Sequence, residues 1–228
     1  MSRVIGTLLA LLVALAAPAG GSAAGTAHSP PRNRYHDGSA APVILVFGDS
    51  LSAGYGVPVG SGWVSLLARK IAQSDYDFNV VNASVSGETT AGGLARLPRA
   101  LDLHHPSIVI LELGANDGLR GLPIARIRSN LDQMITLAQA RGVRVLLLGL
   151  RMPPNYGPRY TMAFHMVYLD LAGEHHLALV PLLMAKVVLH PELIQSDGLH
   201  PNVRGQPLLL QTVWPQLAPM LRVKIPVR

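Results

Sequence analysis

The stretch VILVFGDSLS, residues 43–52, decides the fold of this chain. It opens with five apolar, β-prone residues, Val43–Phe47, and runs directly into a polar turn that contains a glycine. A continuous apolar run of this length is typical of a strand that is buried on both faces, as in a parallel sheet. Ligands of such sheets bind beyond the carboxyl ends of the strands. The turn Gly48-Asp49-Ser50 is therefore expected at the edge of the sheet where chemistry takes place.

Four more runs share this apolar character and predict the remaining strands of the same sheet: Phe78–Ala83, Ser107–Leu113, Val143–Leu150 and Leu177–Leu182. Segments between them repeat apolar residues at helical spacing, for example Trp63, Leu66, Leu67 and Ile71. Alternating strands and helices predict one α/β domain. We expect a three-layer αβα sandwich with a five-stranded parallel sheet.

Three further segments read as helices. Apolar residues at helical spacing from Ile127 to Ala138 predict one helix, which Arg141-Gly142 would end. Two more are predicted over Tyr160–Glu174 and Pro201–Leu221. Because proline lacks an N–H donor, Pro207 and Pro215 are expected to interrupt the last of these helices.

Composition narrows the classes of protein. With 228 residues and 49% hydrophobic content, the chain is long enough for one packed domain and short for two. It has no cysteine, which excludes disulfides, cysteine nucleophiles and thiolate metal sites. Its net charge is +6, but the arginines are scattered and no basic run is interleaved with aromatic residues. Nucleic acid is therefore not an expected partner, whereas a small molecule is, and transient contact with membrane lipid stays open.

The amino-terminal residues predict export. Arg3 is followed by an apolar run from Val4 to Pro18 and then by Ser22-Ala23-Ala24. This order is typical of a secretory signal peptide, here residues 1–24 with cleavage near Ala24. A membrane anchor is the alternative, although the run is shorter than the roughly 20 apolar residues that span a bilayer. We expect a disordered leader over 25–41, a domain over 42–228, and a periplasmic or secreted monomer.

Polar turns follow the other predicted strands and are expected to meet the first turn at one edge of the sheet. The second strand leads into Ser84–Thr89, the third into Gly114–Gly118, and a segment after the fifth carries Ser196–Pro201. Four converging turns are a stronger indication of a site than any one of them.

Ser50, Asp197 and His200 have the chemistry of a nucleophile, an orienting acid and a base. Serine attacks only when a base accepts its proton, and a carboxylate that holds one ring nitrogen of the base leaves the other nitrogen free for the serine. The spacing of Asp197 and His200 on a turn allows that contact. Taken singly, Ser50 could be a helix cap, and Asp197 a capping residue beside an unrelated histidine.

Acyl transfer also needs hydrogen-bond donors for the developing oxyanion. The candidates are the backbone N–H groups of Ser50 and Gly87 and the side-chain amide of Asn116. Either of the last two could instead be an ordinary turn residue. We interpret Ser52 as structural and both Asp49 and Asp117 as turn or cap residues. The paired histidines His104-His105 and His175-His176 read as surface residues near helix ends, so no metal site is predicted.

These blocks resemble the signature set of the SGNH/GDSL hydrolase superfamily. Gly48–Ser52, Gly87, Gly114–Asp117 and Asp197–Pro201 occur in the usual order and span the domain. Within the superfamily the chain is similar to the periplasmic acyl-CoA thioesterase I, lysophospholipase L1 and arylesterase group. The segments that carry this closer similarity include Leu94–Pro98, Asn116–Gly121 and Pro154–Gly157.

The resemblance implies that Ser50 is the nucleophile, His200 the base and Asp197 its partner, with an oxyanion hole from Ser50, Gly87 and Asn116. It also implies a serine esterase without a cofactor that cleaves acyl esters and thioesters through an acyl-Ser50 intermediate. A mobile loop is expected over Gly118–Pro123. Three apolar side chains are plausible walls for the acyl chain: Leu119, Leu122 and Met152.

Two other functions remain open at this point. A carbohydrate O-acetylesterase would use the same four blocks, because a fold and a set of catalytic residues do not determine the substrate. An inactive, lipid-binding relative of a hydrolase is the non-enzymatic alternative. A nucleotide-binding loop is not indicated, because neither GxxxxGK[ST] nor GxGxxG occurs.

Overall fold

The computed structural model describes residues 41–222. The predicted signal peptide lies outside this range, as does the predicted leader apart from Ala41. Five parallel strands form a single sheet in the order β2-β1-β3-β4-β5. Their bounds are β1 Val43–Gly48, β2 Asn79–Asn82, β3 Ile108–Glu112, β4 Arg144–Leu148 and β5 Ala178–Val180. The predicted α/β class and its five-stranded parallel sheet are confirmed.

Seven α-helices connect the strands within residues 41–222. They are α1 Ser50–Ala53, α2 Trp63–Ala72, α3 Thr90–His104, α4 Ala115–Leu119, α5 Ile124–Ala140, α6 Pro158–Glu174 and α7 Gln206–Leu221. Helix α2 packs against α7, whereas α5 packs between α3 and α6. The helices therefore form two layers, one on each face of the sheet, as the predicted sandwich requires.

The core lies between the central strands and these helices. Residues 44–47 of β1 and 146–148 of β4 are completely buried, and β3 is buried along its whole length. Apolar side chains on both faces of these strands explain why their sequence shows no alternation. Trp63 at the start of α2 and Phe164 on α6 are fully buried on the helical side. This packing holds the central strands, and hence the turns that follow them, in fixed places.

Helix α7 corrects one prediction. It begins at Gln206, five residues later than expected, and it is not interrupted by Pro207 or Pro215. Pro207 lies in the first turn, where a backbone N–H has no partner within the helix and its loss costs little. Pro215 and Pro219 lie inside the helix, which continues to Leu221 although each proline lacks the N–H that would donate a backbone hydrogen bond.

Strands β2 to β5 are each shorter than predicted, β4 and β5 by the most. Strand β4 ends at Leu148 and β5 at Val180, because Pro181 follows β5 and the backbone N–H of Gly149 turns to the carbonyl of Val180. Among residues 41–222, no helix is both long enough and apolar enough to cross a membrane.

Candidate active site

The site lies where the connectivity of the sheet changes direction. The chain runs from β1 outward to β2 and then returns to β3 on the other side of β1. A crevice forms at such a point beyond the carboxyl ends of the two central strands. The turn at Ser50 follows β1, and the turn at Asn116 follows β3. The predicted convergence of polar turns is therefore built into the order of the strands.

Ser50 is held at the first position of helix α1. Asp49 caps this helix, since its Oδ1 accepts the backbone N–H of Leu51 at 3.0 Å. The side chain of Ser50 is half-buried, and its Oγ lies 2.7 Å from Nε2 of His200. The capping role that was the alternative for Ser50 thus belongs to Asp49, and the Ser50 hydroxyl faces the histidine.

His200 is held between Ser50 and Asp197. Its Nδ1 lies 2.6 Å from Oδ2 of Asp197, while Oδ1 of the same carboxylate accepts the backbone N–H groups of Leu199 and His200. Gly198 has a φ of 72°, a left-handed conformation that allows this tight turn. A carboxylate only accepts hydrogen bonds, so Nδ1 bears the proton and Nε2 accepts from the Ser50 hydroxyl.

The carboxylate of Asp197 stays ionised well into acid. Partial burial alone would raise its pKa, but the hydrogen bonds from the backbone of His200 and Leu199 and from the imidazole outweigh that effect and lower the pKa to about 2. The charge that orients and stabilises an imidazolium is therefore present throughout the ordinary pH range.

Gln195 ties the turn of His200 to the loop after α1. Its side-chain amide donates to the carbonyls of Tyr55 and Pro201, at 2.9 and 3.0 Å. The ring of Tyr55 also packs against the ring of His200, with centroids 4.7 Å apart. The relative placement of Ser50 and His200 thus depends on contacts that lie outside the four signature blocks.

The three candidate oxyanion donors differ in their surroundings. The backbone N–H of Ser50 is the first of helix α1. Gly87 is exposed and has a φ of 80°, and a Cβ at this position would meet no atom within 4 Å. The amide nitrogen of Asn116 already donates to Oδ2 of Asp49 at 3.2 Å and to the carbonyl of Glu88 at 2.9 Å. An oxyanion would therefore share or displace one of the Asn116 hydrogen bonds.

A buried pair of carboxyl groups, Asp49 and Glu112, lies beneath the turn that carries Ser50. Both side chains are fully buried. Burial raises the pKa of Asp49 to about 6, and burial together with the charge of Asp49 raises the pKa of Glu112 well above its usual range. The Oε2 of Glu112 accepts the hydroxyl of Ser52 at 2.7 Å.

Sequence reasoning missed Glu112. The one signal available was a carboxylate at the end of an otherwise apolar run, Ser107–Leu113, where a charged side chain would face the interior. The interpretation of Asp49 as a cap is correct but incomplete, because its second oxygen also holds Asn116. Ser52 is structural as expected. Asp117 is buried and accepts both the backbone N–H and the hydroxyl of Thr90.

Replacing Gly48 by alanine should destabilise the domain and disturb the turn at Ser50. A Cβ at position 48 would stand 2.6 Å from Oε2 of Glu112 and 2.9 Å from its backbone carbonyl, too close for either to tolerate. Overpacking of this kind typically costs about 1–3 kcal/mol. We expect a loss of that size in urea unfolding together with a lower kcat.

Gly173→Ala is the control for that substitution. Gly173 is exposed on α6, and a Cβ there would meet nothing within 4 Å. Alanine in a helix is favoured over glycine by roughly 0.5–1 kcal/mol, so this variant should be slightly more stable than the parent. A Gly48→Ala protein with unchanged stability and kcat would contradict the tight packing described above.

The three proposed acyl-chain residues differ in accessibility. Leu119 and Leu122 are half-buried on the segment after β3, whereas Met152 is buried and its sulfur lies under Gly118. Met152 therefore packs beneath helix α4 and is not an accessible wall of an acyl-chain site. The segment 118–123 is also tied down, because the hydroxyls of Tyr156 and Tyr160 donate to the carbonyls of Leu119 and Leu122, each at 2.8 Å.

The remaining histidine predictions hold in outline. His104 ends α3, and His175 follows the end of α6. His175 nevertheless has an acidic partner, Asp132 of α5, with 2.6 Å between Nε2 and Oδ1. Within residues 41–222, no group of three or more histidine and carboxylate side chains is arranged to hold a metal ion.

A parallel α/β sheet that carries a hydrogen-bonded serine, histidine and aspartate beyond its strand ends defines the class of serine hydrolases. The sequence of this chain matches the model of one family of that class, described as GDSL-like lipase/acylhydrolase, over residues 46–208. The chain belongs to this family.

Characterised relatives agree with the family. The chain is 50% identical over 183 residues to esterase TesA of Pseudomonas aeruginosa, covering 80% of this chain and 91% of the relative. It is 46% identical over 174 residues to an arylesterase of Vibrio mimicus, covering 76% and 87%. It is 42% identical over 183 residues to thioesterase 1/protease 1/lysophospholipase L1 of Escherichia coli K12, covering 80% and 86%.

The fold is likewise shared with a solved structure. The crystal structure of TesA superposes on this chain with a TM-score of 0.76 at 49% sequence identity. The match covers 78% of this chain and 99% of that structure. The described domain therefore corresponds to nearly the whole of a known family member.

Proposed function

We propose that this protein is an exported esterase that cleaves acyl esters and thioesters through an acyl-Ser50 intermediate. The observation that carries the proposal is the continuous hydrogen-bonded chain from Asp197 through His200 to the hydroxyl of Ser50, with links of 2.6 and 2.7 Å. This arrangement is what removal of a serine proton requires.

The reaction follows from these contacts in two halves. Ser50 Oγ attacks the acyl carbonyl while His200 Nε2 accepts its proton, and the N–H groups of Ser50 and Gly87 with the amide of Asn116 stabilise the oxyanion. The imidazolium then protonates the leaving alcohol or thiol, and the acyl group stays on Ser50. Water attacks next, with His200 accepting its proton and returning it to Ser50 as the carboxylic acid departs.

The surroundings of Ser50 favour an apolar acyl group. Tyr55, Val85 and Leu199 come from three different loops beside the site, and between 40% and 52% of each side chain is exposed. Such side chains stabilise hydrocarbon that they cover, at roughly 25 cal/mol per Å² of apolar area. A sugar ring would place its hydroxyl groups against these apolar side chains, where they would lack hydrogen-bond partners. The same rim is where transient contact with membrane lipid would occur.

Export is proposed from the amino-terminal sequence, whose pattern is typical of a cleaved signal peptide over residues 1–24. The mature enzyme would then act in the periplasm or outside the cell. Edman sequencing of the protein recovered from the periplasm should give a new amino terminus close to Gly25. Recovery of uncleaved chain in the membrane fraction would favour an anchor instead.

The mature domain should hydrolyse acyl substrates with a rate that rises with acyl length. We would compare acyl thioesters, aryl esters, lysophospholipid and acetylated sugar, with the Ser50→Ala variant as the blank. The apolar rim predicts that kcat/KM increases between acetyl and longer acyl groups. Activity confined to acetyl groups would move the assignment to carbohydrate deacetylation, and inactive folded protein would contradict the proposal.

A further inference from the structure

Glu88 connects the two candidate oxyanion donors that do not belong to Ser50. It follows Gly87 directly, and its backbone N–H donates to the carbonyl of Val85, which closes the turn. Its own carbonyl accepts the amide of Asn116 at 2.9 Å. A shift of Glu88 would therefore move the N–H of Gly87 and release the amide of Asn116 together.

Arg96 of helix α3 fixes this turn at both ends. Its Nε donates to Oε2 of Glu88 at 2.5 Å, and another of its nitrogens donates to the carbonyl of Ala83 at 3.2 Å. Ala83 precedes the turn and Glu88 follows it. The guanidinium also lies over the ring of Phe47, 4.5 Å from its centre. Because Phe47 belongs to β1, the strand that leads to Ser50, this contact positions the arginine relative to the nucleophile.

Helix α3 leaves room for the carboxylate of Glu88 because residue 92 is a glycine. A Cβ at Gly92 would stand 2.0 Å from Oε1 of Glu88, so any other residue there would displace it. Glu88 is also largely shielded, with 11% of its side chain exposed against 36% for Arg96. A carboxylate that is shielded in this way and lies next to the oxyanion donors would oppose a developing negative charge unless it is neutralised.

We propose that Arg96 and Glu88 are positioning residues for acyl transfer, which set Gly87 and Asn116 toward the oxyanion and keep the nearby carboxylate neutralised. This inference rests on the proposed function at Ser50. It goes beyond the four signature blocks, because neither residue lies in one of them.

The test is kcat of Arg96→Met, which keeps an apolar stem against Phe47 and removes both hydrogen bonds and the charge. Complete loss of an oxyanion donor typically lowers the rate about 100- to 1000-fold, so misplacement of two donors should lower kcat about 10- to 100-fold. KM should change less than threefold. Active-site titration with a fluorophosphonate ester counts the competent enzyme, so that partial unfolding is not scored as a lower kcat.

Three companion variants separate positioning from folding. Glu88→Gln in the Arg96→Met background removes the uncompensated charge and should recover several-fold of the lost kcat. Arg96→Lys keeps the charge but cannot donate to Glu88 and Ala83 together. Its kcat should therefore fall between those of Arg96→Met and the parent. Arg128→Met removes a more exposed arginine–glutamate pair, Arg128–Glu174 between α5 and α6, and should leave kcat unchanged.

An oxyanion mimic gives an independent measurement. An aryl trifluoromethyl ketone forms a hemiketal on Ser50, and its Ki should rise in Arg96→Met by the same factor by which kcat/KM falls. A variant with lower Tm but unchanged kcat and Ki per titrated site would overturn the proposal. A parent enzyme no faster than Ser50→Ala would instead overturn the function on which it rests, so the two failures are distinguishable.

Discussion

Ser50→Ala should lower kcat by about a millionfold, the loss seen when the nucleophile of a serine hydrolase is removed. The physical reason is that Ser50 Oγ lies 2.7 Å from Nε2 of His200. Among the described residues, no other hydroxyl contacts this nitrogen. The fold should be retained, because Ser50 is only half-buried and α1 is capped by Asp49. Steady-state hydrolysis and thermal unfolding measure the two effects separately.

Ser52→Ala is the control, since it removes a hydroxyl that lies two residues after Ser50 on the same helix. Ser52 is buried and donates to Oε2 of Glu112 at 2.7 Å. Loss of a buried hydrogen bond of this kind typically costs about 1–3 kcal/mol. The variant should therefore unfold more easily and still turn over substrate. Loss of activity in Ser52→Ala with activity kept in Ser50→Ala would exchange the two assignments.

Asp197→Asn should lower kcat by about 10⁴-fold, because an amide at this position no longer enforces the ring tautomer that serves Ser50. The carboxylate accepts from Nδ1 of His200 at 2.6 Å and from two backbone N–H groups. Asparagine can keep the backbone contacts, so the turn should persist while the base is misdirected. The measurement is kcat on a reactive aryl ester, normalised to titrated enzyme.

The chain supplies its own control for this substitution. Asp132 on α5 and His175 just after α6 form a second aspartate–histidine contact of 2.6 Å, in which the other ring nitrogen faces Gln139 and not a serine. Asp132→Asn removes the same chemistry from a place where no catalysis is proposed. Its kcat should equal that of the parent, and a comparable loss in both variants would mean that destabilisation, not misdirection of the base, explains the result.

The same carboxylate predicts the pH dependence of stability. The folded-state pKa of Asp197, about 2, lies below its ordinary value of 3.8. The stabilisation that it provides is therefore complete above pH 4 and disappears as the pH falls through 2. The free energy of unfolding of the parent should exceed that of Asp197→Asn by a constant amount above pH 4, and the two should converge in stronger acid. A difference that grows toward acid would contradict this sign.

The fold was predictable because the central strands are continuous apolar runs, and β1 and β3 end in polar turns that contain glycine. That pattern places Ser50 after β1 and Asn116 after β3, and the order of the strands brings the two turns together. Asp197 and His200 were predictable for a local reason, since three residues separate them and one turn joins them. Their contact with Ser50 could be expected only from the convergence of the turns.

Glu112, Arg96 and Gln195 could not be predicted in the same way. Glu112 acts through Ser52, 60 residues away, Gln195 acts through Tyr55, 140 residues away, and Arg96 spans a turn from Ala83 to Glu88 that no helical or strand periodicity describes. Contacts of this kind depend on the depth of a side chain in the packed domain, which periodicity does not report. The uninterrupted course of α7 past Pro215 and Pro219 has a similar origin, because packing of its buried side chains offsets the missing hydrogen bonds.

The distance along the chain between Ser50 and His200 has a consequence for biogenesis. The two residues are 150 positions apart, and strands β2 to β5 all lie between them along the chain. A nascent chain that has emerged only as far as β4 holds the nucleophile but no base. Hydrolysis is thus a late event in maturation, and its recovery during refolding from urea would report completion of the last strand and of the chain that follows it.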